Sequence, residues 1–111
     1  MDASQKDYRL AAVVFADIHG FSRMLQSSEK NALELLEFHN RLIFDFAKKH
    51  GGSVIKTMGD AVLIEFKNTA NAVKCSVAIQ DTLFDYNTDR SADGRLLVHV
   101  SCLLSRSCQA A

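Results

Sequence analysis

Strand, helices, hairpin, helix, strand: this order of apolar segments predicts an α+β domain of the split βαβ type. Its helices should pack on one face of a mainly antiparallel sheet. Three observations carry that prediction. Residues 10–16 are an unbroken apolar run of strand type. Residues 29–49 hold the apolar spacing of a long helix, and residues 53–66 hold two short apolar segments joined by a tight link. At 111 residues the chain is one domain with a single core.

The first run, LAAVVFA, mixes β-branched, aromatic and small apolar residues. It reads as a strand buried on both faces near the centre of the sheet. The run stops at Asp17, and Gly20 leads into a short helix expected over residues 20–25. Ser28 is placed to cap the next helix, with Glu29 in the first turn, where the helix dipole favours an acid. Leu35, Leu36, His39, Leu42, Ile43, Phe46 and Ala47 form its apolar stripe. Lys48, Lys49 and His50 suit its carboxyl end, and Gly51-Gly52 suits a left-handed exit.

In the hairpin, Val54-Ile55 and residues 61–64 flank a link that ends in Gly59-Asp60. Strict alternation would put Val54, Lys56 and Met58 on one face, and Ile55 and Thr57 on the other. A helix follows over residues 69–86, with Ala72, Val73, Val77, Ile79, Leu83 and Phe84 on its apolar side. NTDRSADG, residues 87–94, is a polar loop, and RLLVHV, residues 95–100, is a further strand. The tail SCLLSRSCQAA, residues 101–111, has no clear period and is set apart as a divergent segment.

Composition narrows the function. Thirteen basic residues balance thirteen acidic ones, which argues against a general nucleic-acid binder. The longest apolar run is too short to span a bilayer, and the polar start MDASQKDYRL has no signal-peptide core. A cytoplasmic protein is the expectation. Cys75, Cys102 and Cys108 lack zinc-type spacing, and Cys75 reads as a small apolar filler inside a helix.

Three polar residues stand out against these segments. Asp17 ends the first strand just before a glycine turn into a helix. There a carboxylate can hold a cation while the amides of residues 18–22 receive anionic oxygens; a plain helix cap is the alternative. Asp60 is either a turn residue or a second carboxylate meeting Asp17 across the sheet. Two adjacent carboxylates repel unless a cation lies between them, and hard divalent cations select such oxygens. Lys56 interrupts an apolar strand, either snorkelling to the sheet edge or donating to a ligand.

FADIHGFS, residues 15–22, and GGSVIKTMGDAVLIEF, residues 51–66, separated by one long helix, together resemble class III nucleotidyl cyclases, the adenylate and guanylate cyclases. The likeness runs over most of residues 1–100, the N-terminal part of that catalytic domain. It implies a ferredoxin-like nucleotidyl cyclase fold and a reaction on a nucleoside triphosphate with two Mg2+ or Mn2+ ions per site. By resemblance, Asp17, Asp60 and the Ile18 carbonyl bind the metals. The turn from His19 through Gly20 and Phe21 to Ser22 supplies amides to the phosphates, Phe21 packs against the ligand region, and Lys56 reads the purine, where lysine goes with adenine. ATP is the implied substrate, cyclic AMP and pyrophosphate are the products, and a head-to-tail homodimer, or pairing with a second cyclase domain, completes the site. In that family a strand turn and a segment carrying an asparagine and an arginine come next. SCLLSRSCQAA does not match them, so the catalytic domain is expected to be incomplete at its carboxyl end, with low turnover. The alternative reading is a catalytically silent ATP- and metal-binding or dimerisation module.

Overall fold

The computed structural model describes residues 7–91 and 94–109. In chain order the elements are β1 (Asp7–Ile18), α1 (Phe21–Ser27), α2 (Glu29–Lys49), β2 (Ser53–Met58), β3 (Ala61–Phe66), α3 (Thr69–Asn87) and β4 (Val98–Gln109). The strands form one sheet in the order β2-β3-β1-β4, and every pairing is antiparallel. This is the predicted split βαβ arrangement.

β1 is central, as its apolar run requires, but it is not buried on both faces. Ala12, Val14 and Ala16 are fully enclosed, while Val13, Phe15 and Asp17 on the other face are half-buried. The reason is that the helices cover one face only. The small side chains of Ala12 and Ala16 let that layer approach the sheet, and Ile43, Ile64, Phe66, Ile79 and Leu96 fill the space between.

α2 matches its pattern closely. The Ser28 hydroxyl accepts a hydrogen bond from the Asn31 amide at 3.3 Å, and Gly51 takes the left-handed conformation (φ 75) just past the end. In α3 the stripe needs correction. Ala72, Cys75, Ile79 and Leu83 are buried, whereas Val73, Val77 and Phe84 face outward. Positions 72, 75, 79 and 83 follow the helical repeat along one line, and that line alone meets the sheet. Cys75 is the apolar filler expected of it, and burial pushes its thiol up to about 11.

The strands differ from expectation in two places. A bulge in β2 leaves Ile55 without a partner between the Val54–Ile64 and Lys56–Leu63 pairs. Because side chains alternate, one extra residue turns everything after it over. Val54 therefore shares a face with Thr57, and Lys56 shares the other with Met58, contrary to strict alternation. The last strand begins at Val98 rather than at residue 95 and runs on through much of the segment set apart as a divergent tail, paired with β1 along its length. β1 itself extends to Asp7, and its free edge supplies the partner that the tail's own sequence does not announce. Before β4, the Asn87 side chain brackets Leu96, accepting from its amide at 2.8 Å and donating to its carbonyl at 2.9 Å.

Gly52 sits under β3. A Cβ there would meet the Phe66 ring at 2.6 Å and Ile64 Cγ2 at 2.8 Å. Gly52→Ala should lower stability by about 1–3 kcal/mol, the usual cost of overpacking, measured by denaturant unfolding. β4 is an edge strand on which Leu103 and Leu104 are largely exposed. Leu104→Lys should leave the melting temperature nearly unchanged and reduce self-association, measured by light scattering.

Candidate active site

The end of β1 and the β2–β3 turn meet at one end of the sheet. Asp60, half-buried in that turn, accepts a hydrogen bond at Oδ2 from the Ile18 amide at 2.9 Å. The carboxylate therefore does more than close a turn: it ties the hairpin to the strand that carries Asp17. Asp17 is not a helix cap. The cap position of α1 is Gly20, which sits in the left-handed region (φ 72) and has no side-chain bond. Glycine is favoured there because a Cβ makes that conformation costly.

The turn between β1 and α1 has fewer amides to offer than the sequence suggests. Ile18 N–H is held by Asp60, and His19 N–H donates to the Leu97 carbonyl at 2.7 Å. The N–H groups of Phe21, Ser22 and Arg23 open α1 and have no acceptor within the helix. Phe21 is half-buried and packs against the hydrophobic core. An open groove of about 1040 Å³ flanks the turn, and His19, Gly20, Ser22, Arg23 and Arg95 are among its walls. Among the described residues the groove has no acid in its lining, and neither Asp17, Asp60 nor Lys56 contributes to it.

Lys56 stands apart from the acid pair along the sheet. Opposed residues of an antiparallel pair share a face, so the pairings Lys56–Leu63 and Phe15–Leu63 put Lys56, Leu63 and Phe15 in one row. Asp17 lies two residues on from Phe15 and so faces the same way. This is the face without helices, and Lys56 is exposed on it.

Two features here were not singled out in the sequence. His19 Nδ1 lies 2.9 Å from His99 Nε2, joining the turn to β4. His39, counted only as a member of an apolar stripe, is fully buried, with Nδ1 on Asn40 Oδ1 at 3.0 Å and Nε2 without a partner among the described residues. Burial holds the His39 imidazole below its ordinary value, against the opposing pull of Asn40, Asp60 and Asp17. A histidine inside an otherwise apolar stripe was the available signal.

Among the described residues, no group of three or more His, Cys, Asp or Glu side chains is placed to enclose a metal ion. Two carboxylates and a backbone carbonyl suit a different site. A small hard cation of the magnesium type keeps several waters and accepts substrate phosphate oxygens in its remaining positions. The donor chemistry of Asp17, Asp60 and Ile18 fits that kind of ion. No helix among the described residues is long and apolar enough to cross a membrane.

The sequence pattern of the adenylate and guanylate cyclase catalytic domain matches residues 3–100. A putative adenylate cyclase 3 from Rhizobium meliloti (strain 1021) is 36% identical over 93 residues, which is 83% of this chain and 16% of that protein. A serine/threonine-protein kinase, pkn2, from Myxococcus xanthus is 37% identical over 93 residues, 82% of this chain and 11% of the kinase. The chain thus spans less than a fifth of the length of either relative. In three dimensions it is similar to an adenylate/guanylate cyclase/hydrolase from Silicibacter pomeroyi, with a TM-score of 0.81 and 26% identity, over 94% of this chain and 61% of that one.

Asp60→Ala should destabilise the metal-free chain by about 1.5–3 kcal/mol, the usual range for a hydrogen bond to a charged group, measured by urea unfolding. Asp17→Ala should cost less, because no hydrogen bond of this kind ties Asp17 to the turn among the described residues. His39 has a folded pKa below its unfolded value of 6.5, so the unfolded chain binds more protons as pH falls. Its contribution is present above about pH 6.5 and is lost below. His39→Met should flatten the stability–pH curve below about pH 6.5, measured by thermal melts in matched buffers.

Proposed function

Because this chain belongs to the adenylate and guanylate cyclase catalytic domain family, we propose that it is part of an adenylate cyclase, converting ATP to cyclic AMP and pyrophosphate. One observation supports this reading above the others. The Ile18–Asp60 hydrogen bond gathers both motif acids and the Ile18 carbonyl at one end of the sheet, although 42 residues separate the bonded pair. A carboxylate already gripped by a backbone amide keeps its remaining lone pairs in a fixed direction, which is how a ligand for a small cation is preorganised.

Asp17, Asp60 and the Ile18 carbonyl would hold two Mg2+ or Mn2+ ions, which supply charge stabilisation at the attacking ribose oxygen and at the departing phosphate oxygens. The amides of Phe21 and Ser22 point their positive ends toward the anionic chain of the nucleotide, and Arg23 adds a cation beside them. Phe21 anchors that turn in the core, so its amides do not drift as the ligand binds. Lys56 lies on the sheet face without helices, where a second copy in head-to-tail arrangement brings its own acid pair opposite. In that arrangement each lysine reads the adenine of the site whose metals the other copy holds.

A second reading, an ATP- and metal-binding module without turnover, is favoured by one feature. Residues 101–109 carry β4 straight on along β1, in place of the strand turn that the resemblance leads one to expect. Both readings expect ATP with Mn2+ to raise the melting temperature of the parent, and Asp17→Ala or Asp60→Ala to remove most of that rise. Pyrophosphate release separates them. The cyclase reading expects slow, Mn2+-dependent release from ATP that Asp17→Asn abolishes; binding with no release supports the silent module.

Lys56 should set a preference for ATP over GTP. An ammonium only donates, and the adenine Watson–Crick edge offers a ring-nitrogen acceptor where guanine N1 carries a proton. In competition binding the parent should favour ATP, and Lys56→Glu should lose or reverse that preference. Equal affinities in both proteins would leave Lys56 as an edge residue with no role in base choice.

A further inference from the structure

The proposed cyclase chemistry uses neither of two imidazoles that meet beside the acid end of the sheet. His19 Nδ1 lies 2.9 Å from His99 Nε2, with the ring centroids 4.9 Å apart and the planes inclined at 73°. Both residues are exposed. They come from the β1–α1 turn and the start of β4, 80 residues apart in the chain. Backbone bonds fix both of them. His99 pairs in register with Asp17 and so shares its face, the one without helices. The His19 N–H donates to the Leu97 carbonyl at 2.7 Å, two residues before His99. The approach of the rings is therefore set by the sheet and its turn.

As neutral rings the pair shares one hydrogen, donated by one nitrogen to the lone pair of the other. The same two nitrogens also meet the requirements of a chelate. Neutral imidazole is a ligand for zinc, copper and nickel, at about 2.0–2.1 Å from the ion. Two such nitrogens at right angles around one ion are about 2.9 Å apart, whereas a tetrahedral ion spreads them to about 3.4 Å. The observed 2.9 Å matches neighbouring corners of a square-planar or tetragonal ion, the preference of Cu2+ and Ni2+. When the ion enters, each ring keeps its one hydrogen on the far nitrogen, Nε2 of His19 and Nδ1 of His99. Both facing nitrogens then turn lone pairs to the metal.

We propose that His19 Nδ1 and His99 Nε2 form a two-imidazole site for a transition ion of the Ni2+ or Cu2+ type, clamping the β1–α1 turn to β4. Water fills the remaining positions of the ion, because no third His, Cys, Asp or Glu among the described residues joins the pair. The site differs in chemistry from the acid pair: carboxylates and a carbonyl suit hard Mg2+-type ions, and imidazoles suit softer ones. It does not rest on the cyclase reading. Two ligands presented together bind more tightly than either alone, by about 100-fold or more where the fold holds the second in place.

The test uses the untagged 111-residue chain with Ni2+ as the probe, in excess Mg2+, followed by titration calorimetry and thermal melts. The expected result is one Ni2+ per chain, a melting temperature raised by Ni2+, and Ni2+ affinity about 100-fold weaker in His19→Ala and in His99→Ala. Asp60→Asn and Cys102→Ser should keep the parental affinity. A parent that binds no Ni2+ overturns the inference, and so does parental affinity in either histidine variant. Loss of Ni2+ in Asp60→Asn or Cys102→Ser also overturns it, since the ion then belongs to the acids or to the thiol. If a histidine variant does not fold, paramagnetic resonance of the parent with one equivalent of Cu2+ decides. Coupling to two imidazole nitrogens supports the chelate, and coupling to one or none refutes it. A chain that binds Ni2+ as expected but neither ATP nor Mn2+ keeps this site and loses the cyclase reading.

Discussion

The acid end of this molecule depends on β1 being hydrogen-bonded along both of its edges. β3 holds one edge from Ala12 to Ala16 and β4 holds the other from Asp7 to Ile18, so the strand is pinned on both sides up to the residue before Asp17. Asp17 and Ile18 then emerge in a fixed direction beside the β2–β3 turn. Beyond Ala16, β4 and the Ile18–Asp60 hydrogen bond hold this end in place. The alternation of Ala12, Val14 and Ala16 inward with Val13, Phe15 and Asp17 outward adds the second constraint. It anchors the strand in the core on one face and presents the carboxylate on the other.

From that constraint follows a division of labour between the two faces. The helix side carries the packing: α2 and α3 lay apolar lines against the sheet, and the one polar intruder, His39, sits where the acids can feel it. The open side carries Lys56, Phe15, Leu63 and Met58, a half-apolar surface unlike a plain solvated face. The bulge at Ile55 is what gives Lys56 this side. Bulges often re-aim a side chain near functional sites, and here the register slip also moves Met58 onto the open face, between Lys56 and the turn that holds Asp60.

The β1–α1 turn shows how a local motif is trimmed by its surroundings. Read alone, FADIHGFS promises a row of free amides. In the folded chain Asp60 and the Leu97 carbonyl take the first two, and the remaining donors belong to the start of α1. The set of free amides is therefore smaller and begins at the start of α1. Arg23 and Arg95 in the adjoining groove add positive charge that no motif pointed to.

Local chemistry alone determined a good deal. The Ser28 cap, the helical spacing from Leu35 to Ala47 and the unbroken run of β1 are consequences of short-range propensity and period, and they stand as read. The identities of Asp17, Asp60 and Lys56 were equally legible, because a charge inside an apolar segment is conspicuous wherever the chain later goes. Tertiary structure decided the rest, since it turns on which surfaces meet. Val73 and Val77 look like core residues until the sheet chooses the neighbouring line of α3. Residues 101–109 have no pattern of their own and become a strand because β1 has a free edge to pair with. Lys56 changes face through a one-residue bulge that leaves no mark in composition. His39 reads as one more stripe position until burial removes every donor from its Nε2. Period and propensity act within a few residues of the chain, whereas register, facing and solvation belong to pairs of segments far apart in sequence.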